Sequence, residues 1–279
     1  MKTIAKPVIS AAGENCALDN SDAVASCLVR IFSQKRFLLV LDDVWNEDQE
    51  KWENLKMPSA LKQCFAYCSI FPKDYEIDKD DLIRQWIALG FISSHETWTS
   101  MEDIGNEYFN DLLWMSFLQD VEENYRGVTC CRMHDLVHDL AQSVAKEEVA
   151  VISAEESARI PEGCRYASIH SRFTPQVSIT VMQRLRALQF RESGSPIMTL
   201  YSEAKWLRLL DLHDSKISML PSSIGKLKLL RYLNLSKNSI QELPESTTSL
   251  CNLQTLNLSR CREIRTLPKF LGRLTNLRI

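Results

Sequence analysis

The chain has 279 residues, 45% apolar and 25% charged with a formal net charge of -3, which is ordinary for a soluble globular protein and leaves room for two or three domains. No apolar run reaches the roughly 18 residues that a bilayer span needs, and Met1-Lys-Thr-Ile-Ala-Lys6 lacks the apolar stretch and cleavage site of a secretory leader, so neither secretion nor a membrane span is expected. Nine cysteines, an odd number set mostly in apolar segments, suit reduced thiols in an intracellular compartment rather than a disulfide framework.

Residues 21–34 place Val24, Leu28 and Ile31 at helical spacing behind a Ser21/Asp22 cap, which predicts a first helix. Lys35-Arg36 then leads into Phe37-Leu-Leu-Val-Leu41, an apolar run bounded by charge, the pattern of a strand buried on both faces of a parallel sheet. Asp42 and Asp43 follow it directly. From Pro58 the texture turns helical, with Leu61, Phe65 and Cys68 in register and Pro72 as a stop. Asp78 caps the next helical segment, residues 79–89, and Gly90 ends it. Ser100-Met-Glu-Asp103 is a capping-box-like start for a helix through about Trp114, with Ile104, Tyr108 and Leu112 on one face. Residues 117–121 and 128–133 read as two strands around the polar turn Glu123-Asn-Tyr-Arg-Gly127, and a further helix runs from about 134 to 145. Helices, a two-stranded wing and a closing helix predict a winged-helix domain. Residues 150–199 read as a transition, with one strand at 166–170 and an irregular first repeat at Leu185-x-x-Leu188-x-Phe190.

The last 80 residues carry one pattern three times. Leu207-x-x-Leu210-x-Leu212, Leu230-x-x-Leu233-x-Leu235 and Leu253-x-x-Leu256-x-Leu258 are each followed by Ile217, Ile240 or Ile264 and then by Leu-Pro. A fixed period of this kind is the signature of a leucine-rich-repeat solenoid, in which one short strand per repeat buries its leucines against the next repeat. Position nine is Ser215, Asn238 or Cys261, where the pattern calls for a side chain that bonds neighbouring backbone in the turn. Such a surface grips proteins and does no chemistry of its own; its concave strand residues Arg208, Asp211, Arg231, Tyr232, Asn234, Gln254 and Asn257 are the expected partner-binding set.

Charge is unevenly spread. Residues 57–149 hold 17 acidic and 7 basic side chains, whereas residues 200–279 hold 6 acidic and 13 basic. Opposite signs attract over about one Debye length, roughly 8–10 Å at physiological salt, so the two segments are expected to associate. The acidic surplus also opposes DNA binding by the winged helix, because affinity for a polyanion comes mainly from neutralised phosphates.

Phe37-Leu-Leu-Val-Leu-Asp42-Asp43 has the form of a Walker B segment: an apolar strand delivers carboxylates to the sheet edge where ligands bind. The phosphate cradle that nucleotide binding also requires, Gly-x4-Gly-Lys-Ser/Thr, occurs nowhere among the 8 glycines. His134 and His138 lie one helical turn apart, a spacing zinc can use, but no third ligand accompanies them. Cys64 with Cys68, and Cys130 with Cys131, lack Cys-x2-Cys geometry and read as buried thiols.

Taken together, these segments resemble plant intracellular immune receptors of the nucleotide-binding, leucine-rich-repeat family, in particular the coiled-coil class. Lys35-Arg-Phe-Leu-Leu-Val-Leu-Asp-Asp-Val-Trp45-Asn resembles that family's Walker B motif, and Cys64-Phe-Ala-Tyr-Cys-Ser-Ile-Phe-Pro-Lys-Asp-Tyr75 its motif at the start of the winged helix. Met133-His134-Asp135 is similar to its sensor triplet. The resemblance implies an ADP/ATP switch held off by the repeats, with Asp42 serving Mg²⁺, Asp43 the attacking water, His134 the β-phosphate of ADP, and Asp135 steadying the helix. Only Trp45 to Met57 separates two motifs that the family keeps far apart, and the P-loop and coiled coil have no counterpart, so a truncated and internally deleted receptor is expected.

The expected fold is α/β: a remnant of a nucleotide-binding α/β (NB-ARC) domain over 1–56, a winged helix over 57–149 ending in the sensor-like helix, a transition over 150–199, and repeats over 200–279. The expected function is that of an immune-receptor fragment, regulatory and binding rather than catalytic, with ADP, ATP and Mg²⁺ as family cofactors that this chain does not hold. Its expected partners are its own repeats and a pathogen effector or host guardee; its expected location is the cytoplasm, the inner face of the plasma membrane, or the nucleus. Two alternatives are a stand-alone repeat module that recognises protein and a residual ADP-binding protein.

Overall fold

The computed structural model describes residues 57–93, 99–124, 127–153, 160–170, 177–191 and 200–278, all within one compact unit. The expected first helix, the apolar strand and the pair Asp42/Asp43 lie outside the described residues.

Helix α1 (Ser59–Cys68) begins behind Pro58, whose carbonyl accepts from the Lys62 N–H at 3.0 Å, and buries Leu61, Cys64, Phe65 and Cys68. A short strand β1 (Ile77–Asp78) leads into α2 (Lys79–Leu89), where the Asp78 carboxylate accepts from the Asp81 N–H at 2.9 Å. Gly90 closes α2 at φ 83°, a left-handed cap that glycine adopts without steric cost. The capping box of Ser100 and Asp103 starts α3 (Met101–Trp114), as the sequence predicts. This helix ends on Ser116 at positive φ, so that Phe117 and Leu118 bond back to the Leu112 carbonyl. Residues 117 and 118 therefore enter the core instead of opening the predicted strand, and the Phe117 ring lies 4.6 Å from that of Phe65. The wing is β2 (Gln119–Glu123) and β3 (Thr129–Arg132), which join β1 in an antiparallel sheet of order β1-β3-β2. Helix α4 (Asp135–Ala145) closes the winged helix and packs on α1.

A six-stranded parallel sheet follows in sequential order: β4 (Val149–Ser153), β5 (Tyr166–His170), β6 (Ala187–Phe190), β7 (Leu209–Asp211), β8 (Tyr232–Asn234) and β9 (Thr255–Asn257). Each strand pairs with the next in one register, in which Tyr166, Ala187, Leu209, Tyr232 and Thr255 stand side by side. Neighbours in sequence being neighbours in space is the mark of a solenoid. The frame leucines 207, 210, 212, 230, 233 and 235 are wholly buried in one core that runs from Ile152 to Leu274. The sheet starts earlier than the sequence suggests: β4 belongs to it, so the transition segment is already solenoid.

Position nine does what its chemistry requires. The Asn238 amide donates to the carbonyls of Leu212, Leu235 and Ser236 at 2.7, 2.8 and 3.3 Å and accepts from the Ile217 N–H at 3.1 Å. Ser215 donates to Phe190 O at 3.0 Å, and Cys261 to Leu235 O at 3.0 Å. Replacing Asn238 with Ala strands several buried backbone groups, each costing about 1–3 kcal/mol when unsatisfied. Urea unfolding of Asn238→Ala is expected to show a loss of roughly 2–4 kcal/mol.

Candidate functional site

The described residues converge on a buried seam where α2 lies across β6, β7 and β8. Helix α2 is amphipathic: Leu82, Ile83, Trp86, Ile87 and Leu89 are all buried, Asp80 and Arg84 are exposed, and Asp81 and Gln85 face the repeats. Gln85 is wholly buried and accepts from the Tyr67 hydroxyl at 2.7 Å and from the Gln189 amide at 3.1 Å. Gln189 also donates to the Tyr67 hydroxyl at 3.2 Å. The chain of bonds continues along α2, where the Gln85 amide donates to Asp81 Oδ2 at 2.9 Å, and crosses back where Tyr232 donates to Asp81 Oδ1 at 2.6 Å. Beside it, Arg191 donates to Asp211 Oδ2 at 2.9 Å while its guanidinium sits 5.4 Å from the centre of the Tyr75 ring. The His213 N–H donates to Asp211 Oδ1 at 2.9 Å.

Asp211 thus bonds the Arg191 guanidinium, while Asp81, partly buried beside it, is held by Tyr232 and Gln85. Burial raises the Asp81 carboxyl above its ordinary range, the neighbouring Asp211 adds to the rise, and the bonds from Tyr232 and Gln85 oppose it. Burial likewise raises Asp211, opposed by Arg191 and the His213 N–H. Burial opposes the charge on Arg191, yet Asp211 and its other neighbours hold its pKa above the ordinary value. Burial drives the Tyr232 hydroxyl well above 10, with Asp81 pushing the same way, so it stays a donor.

Three further contacts border the seam. Arg208 donates to the Leu89 carbonyl at 2.7 Å, occupying an acceptor at the C-terminal end of α2. Its Nη1 lies 3.1 Å, and that of Arg231 3.9 Å, from where a Cβ on Gly90 would sit. Arg278 grips both oxygens of Glu102 on α3 at 2.9 and 3.0 Å.

The expected partner-binding set divides accordingly. Asp211 and Tyr232 were expected on an open recognition surface; both are wholly buried against the chain's own α2 and Arg191, which corrects that expectation. Asn234 is buried as well, and its side-chain oxygen accepts from the N–H and hydroxyl of Ser236. The side-chain oxygen of Asn257 similarly accepts from the Ser259 N–H. Arg208 is half-buried and tied to Leu89, whereas Arg231 and Gln254 are half-buried at the same strand position one repeat apart. Gln85, Gln189 and Arg191 were missed from the sequence. No local signal marks them, because α2, with Lys79, Asp80, Asp81, Arg84 and Gln85 among its residues, reads as an ordinary amphipathic helix.

His134 caps α4, and its Nδ1 accepts from the Leu136 N–H at 3.2 Å. His138 points elsewhere: it is buried, and its Nε2 donates to the Phe71 carbonyl at 2.7 Å. The two imidazoles are thus engaged separately, and the described residues contain no cluster of three or more metal-ligating side chains. All seven cysteines among the described residues are free. Burial pushes the thiols of Cys131 and Cys164 up to about 12, which suits packing rather than nucleophilic chemistry. No helix among the described residues is long and apolar enough to cross a membrane.

Comparison with known proteins matches both halves of this arrangement. Residues 70–141 match the disease resistance protein winged helix domain, and residues 168–279 match a leucine-rich repeat region. The chain is a winged-helix and leucine-rich-repeat protein of the disease resistance type. It is similar to the disease resistance protein RGA2 of Solanum bulbocastanum, at 38% identity over 192 residues, covering 66% of this chain and 18% of that protein. Similarity to the putative disease resistance protein RGA1 of the same species is 35% over 192 residues, with the same shares covered. The disease resistance protein RPM1 of Arabidopsis thaliana is 35% identical over 177 residues, 60% of this chain and 19% of that one. The chain thus carries the winged-helix and leucine-rich-repeat regions of plant disease resistance proteins, and it spans about a fifth of the length of these relatives.

His213, next to Asp211, supplies a pH test of the seam. Burial first, and then Arg191 and Lys237, lower its pKa from 6.5 to about 4. A group that is neutral when folded and protonates readily when unfolded adds stability above pH 6.5, and that share is lost as pH falls from 6.5 towards 4. After discounting for its partial exposure, the share is roughly 1–2 kcal/mol. Urea unfolding of His213→Asn is expected to lose less stability than the wild type over that window; parallel curves would contradict it.

Proposed function

We propose that this chain is the winged-helix and repeat portion of a plant intracellular immune receptor, and that its repeats restrain the winged helix through the buried seam on α2. The observation that carries the reading is the bond between Tyr232, on the repeats, and Asp81, on α2, within a polar chain that is buried at Gln85, Gln189, Asp211 and Tyr232 and partly buried at Asp81. A seam of this kind is conditional. Satisfied, it holds one arrangement; separated, its groups return to water at little net cost, because each regains solvent partners. A restraint of that sort suits a switch better than an apolar interface, which would resist release throughout. The acidic winged helix and basic repeats favour re-docking over short range.

By resemblance to a nucleotide switch, Asp42 would serve Mg²⁺, Asp43 the attacking water and His134 the ADP phosphate. Among the described residues His134 stands alone in this respect, its Nδ1 already engaged by Leu136. One imidazole so engaged does not make a phosphate cradle, and the sequence offers no Gly-x4-Gly-Lys run. The chain's own part is therefore to bind and restrain. The role of an external protein partner, an effector or a guarded host protein, falls to the strand positions that α2 does not occupy, among them Gln254 and Asn257.

Tyr232→Phe removes the donor and leaves the partly buried Asp81 carboxylate short of one bond, a cost of about 1–2 kcal/mol. Hydrogen exchange of the intact chain is expected to show α2 amides opening roughly tenfold or more faster, with the amides of α4 unchanged. Unchanged exchange in α2 would defeat the proposal.

A further inference from the structure

Strand position two carries an arginine in four successive rungs: Arg165, Arg186, Arg208 and Arg231. Adjacent rungs of a sheet stand about 4.8 Å apart, so the column concentrates positive charge beside the C-terminal end of α2. Arg208 shows the crowding: burial lowers its pKa, and Arg231 and Arg186 lower it further. A cavity of about 620 Å³ opens between this column and the winged helix. Lys62 and Lys146 add charge from the far wall, and among the described residues Glu148 is the one carboxylate lining it. Glu148 lies 3.4 Å from Arg165 in a pair about half exposed on both sides, which neutralises little. The half-buried Arg186 side chain makes no hydrogen bond or ion pair among the described residues. An adjoining cavity shares Lys146, Glu148, Arg165 and Arg186, and adds Arg184 and Glu147.

We propose that this cavity binds a small polyphosphate anion, held by the guanidinium rungs of Arg165, Arg186 and Arg208 on one side and by Lys62 and Lys146 on the other. Like charges stacked at strand spacing repel unless an anion lies along them, and a chain of phosphoryl groups offers one charge to each rung. Guanidinium forks match phosphate oxygens in pairs. The volume suits a small molecule and is too confined for a folded partner. The rings of Tyr67, Phe91 and Tyr166, with centroids 5.6 to 5.9 Å apart, line the same space and give an organic substituent a face to pack on. Bound between the two walls, the anion clamps the winged helix to the repeats. That consequence rests on the restraint proposed above; the binding itself does not.

Calorimetric titration of the intact chain with tripolyphosphate, ADP, orthophosphate and an acidic peptide tests the site. Tripolyphosphate is expected to bind at least roughly tenfold tighter than orthophosphate, and to weaken as salt rises. Arg186→Gln is expected to weaken it at least about tenfold with the melting temperature of the free chain unchanged, and Arg165→Gln serves if that variant does not fold. Arg262→Gln, the same charge change at an exposed position of the last repeat, is expected to leave binding intact. ADP binding with the same Arg186 dependence would identify phosphate esters as the source, and tripolyphosphate binding alone would identify free polyphosphate. No heat with either, equal losses in Arg186→Gln and Arg262→Gln, or tighter binding of the peptide would each overturn the proposal. Affinity is read separately from α2 exchange, so the site and the restraint can fail independently.

Discussion

Two acids matched at one seam, Asp211 buried and Asp81 partly so, set the terms for the rest of this molecule. Taking a carboxylate from water is expensive unless its oxygens are matched by donors, and removing one partner from a buried charged set costs more than the set gains when complete. Asp81 and Asp211 find those donors in Tyr232, Gln85, Arg191 and the His213 N–H. These donors come from α2 and from strand positions in three successive repeats. Helix and repeats therefore have one relative placement in which every partner is present, and polar matching selects it more sharply than apolar contact would.

Helix α2 is the shared element. Its apolar side, with Leu82 and Trp86 wholly buried, belongs to the winged-helix core, while its polar pair belongs to the seam. A rotation that frees Asp81 from Tyr232 would also disturb the Trp86 packing. The Arg208 bond to the last carbonyl of α2 fixes the other end, close against Gly90, where any side chain would meet the guanidinium. The helix is held at both ends by the repeats and along its length by its own domain.

The repeats were legible in the sequence because a period repeats its own evidence: leucine frame, Leu-Pro and position nine all recur, and each side chain at position nine bonds as the frame requires. Caps were legible too, since Asp78, Ser100 and Gly90 act through neighbours in sequence. Strand β4 was not. Val149-Ala-Val-Ile-Ser153 offers Ala150 and Ile152 to the core where the frame offers leucine, so nothing in it announces a repeat. The seam was illegible for a related reason. Gln189, Asp211 and Tyr232 occupy positions that face water in a bare solenoid, and only the placement of α2 over them makes them interior. Such long-range pairing leaves no local trace.

The seam draws its members from consecutive turns of the solenoid, Gln189 and Arg191 from one, Asp211 from the next, Tyr232 from the one after. Each unit is interchangeable as architecture but not as a fastening. Exchange of a single unit between related genes can preserve every leucine, fold without fault, and still deliver the wrong side chain to α2. Diversification of these early units is thereby coupled to the seating of α2, whereas later units vary free of that tie.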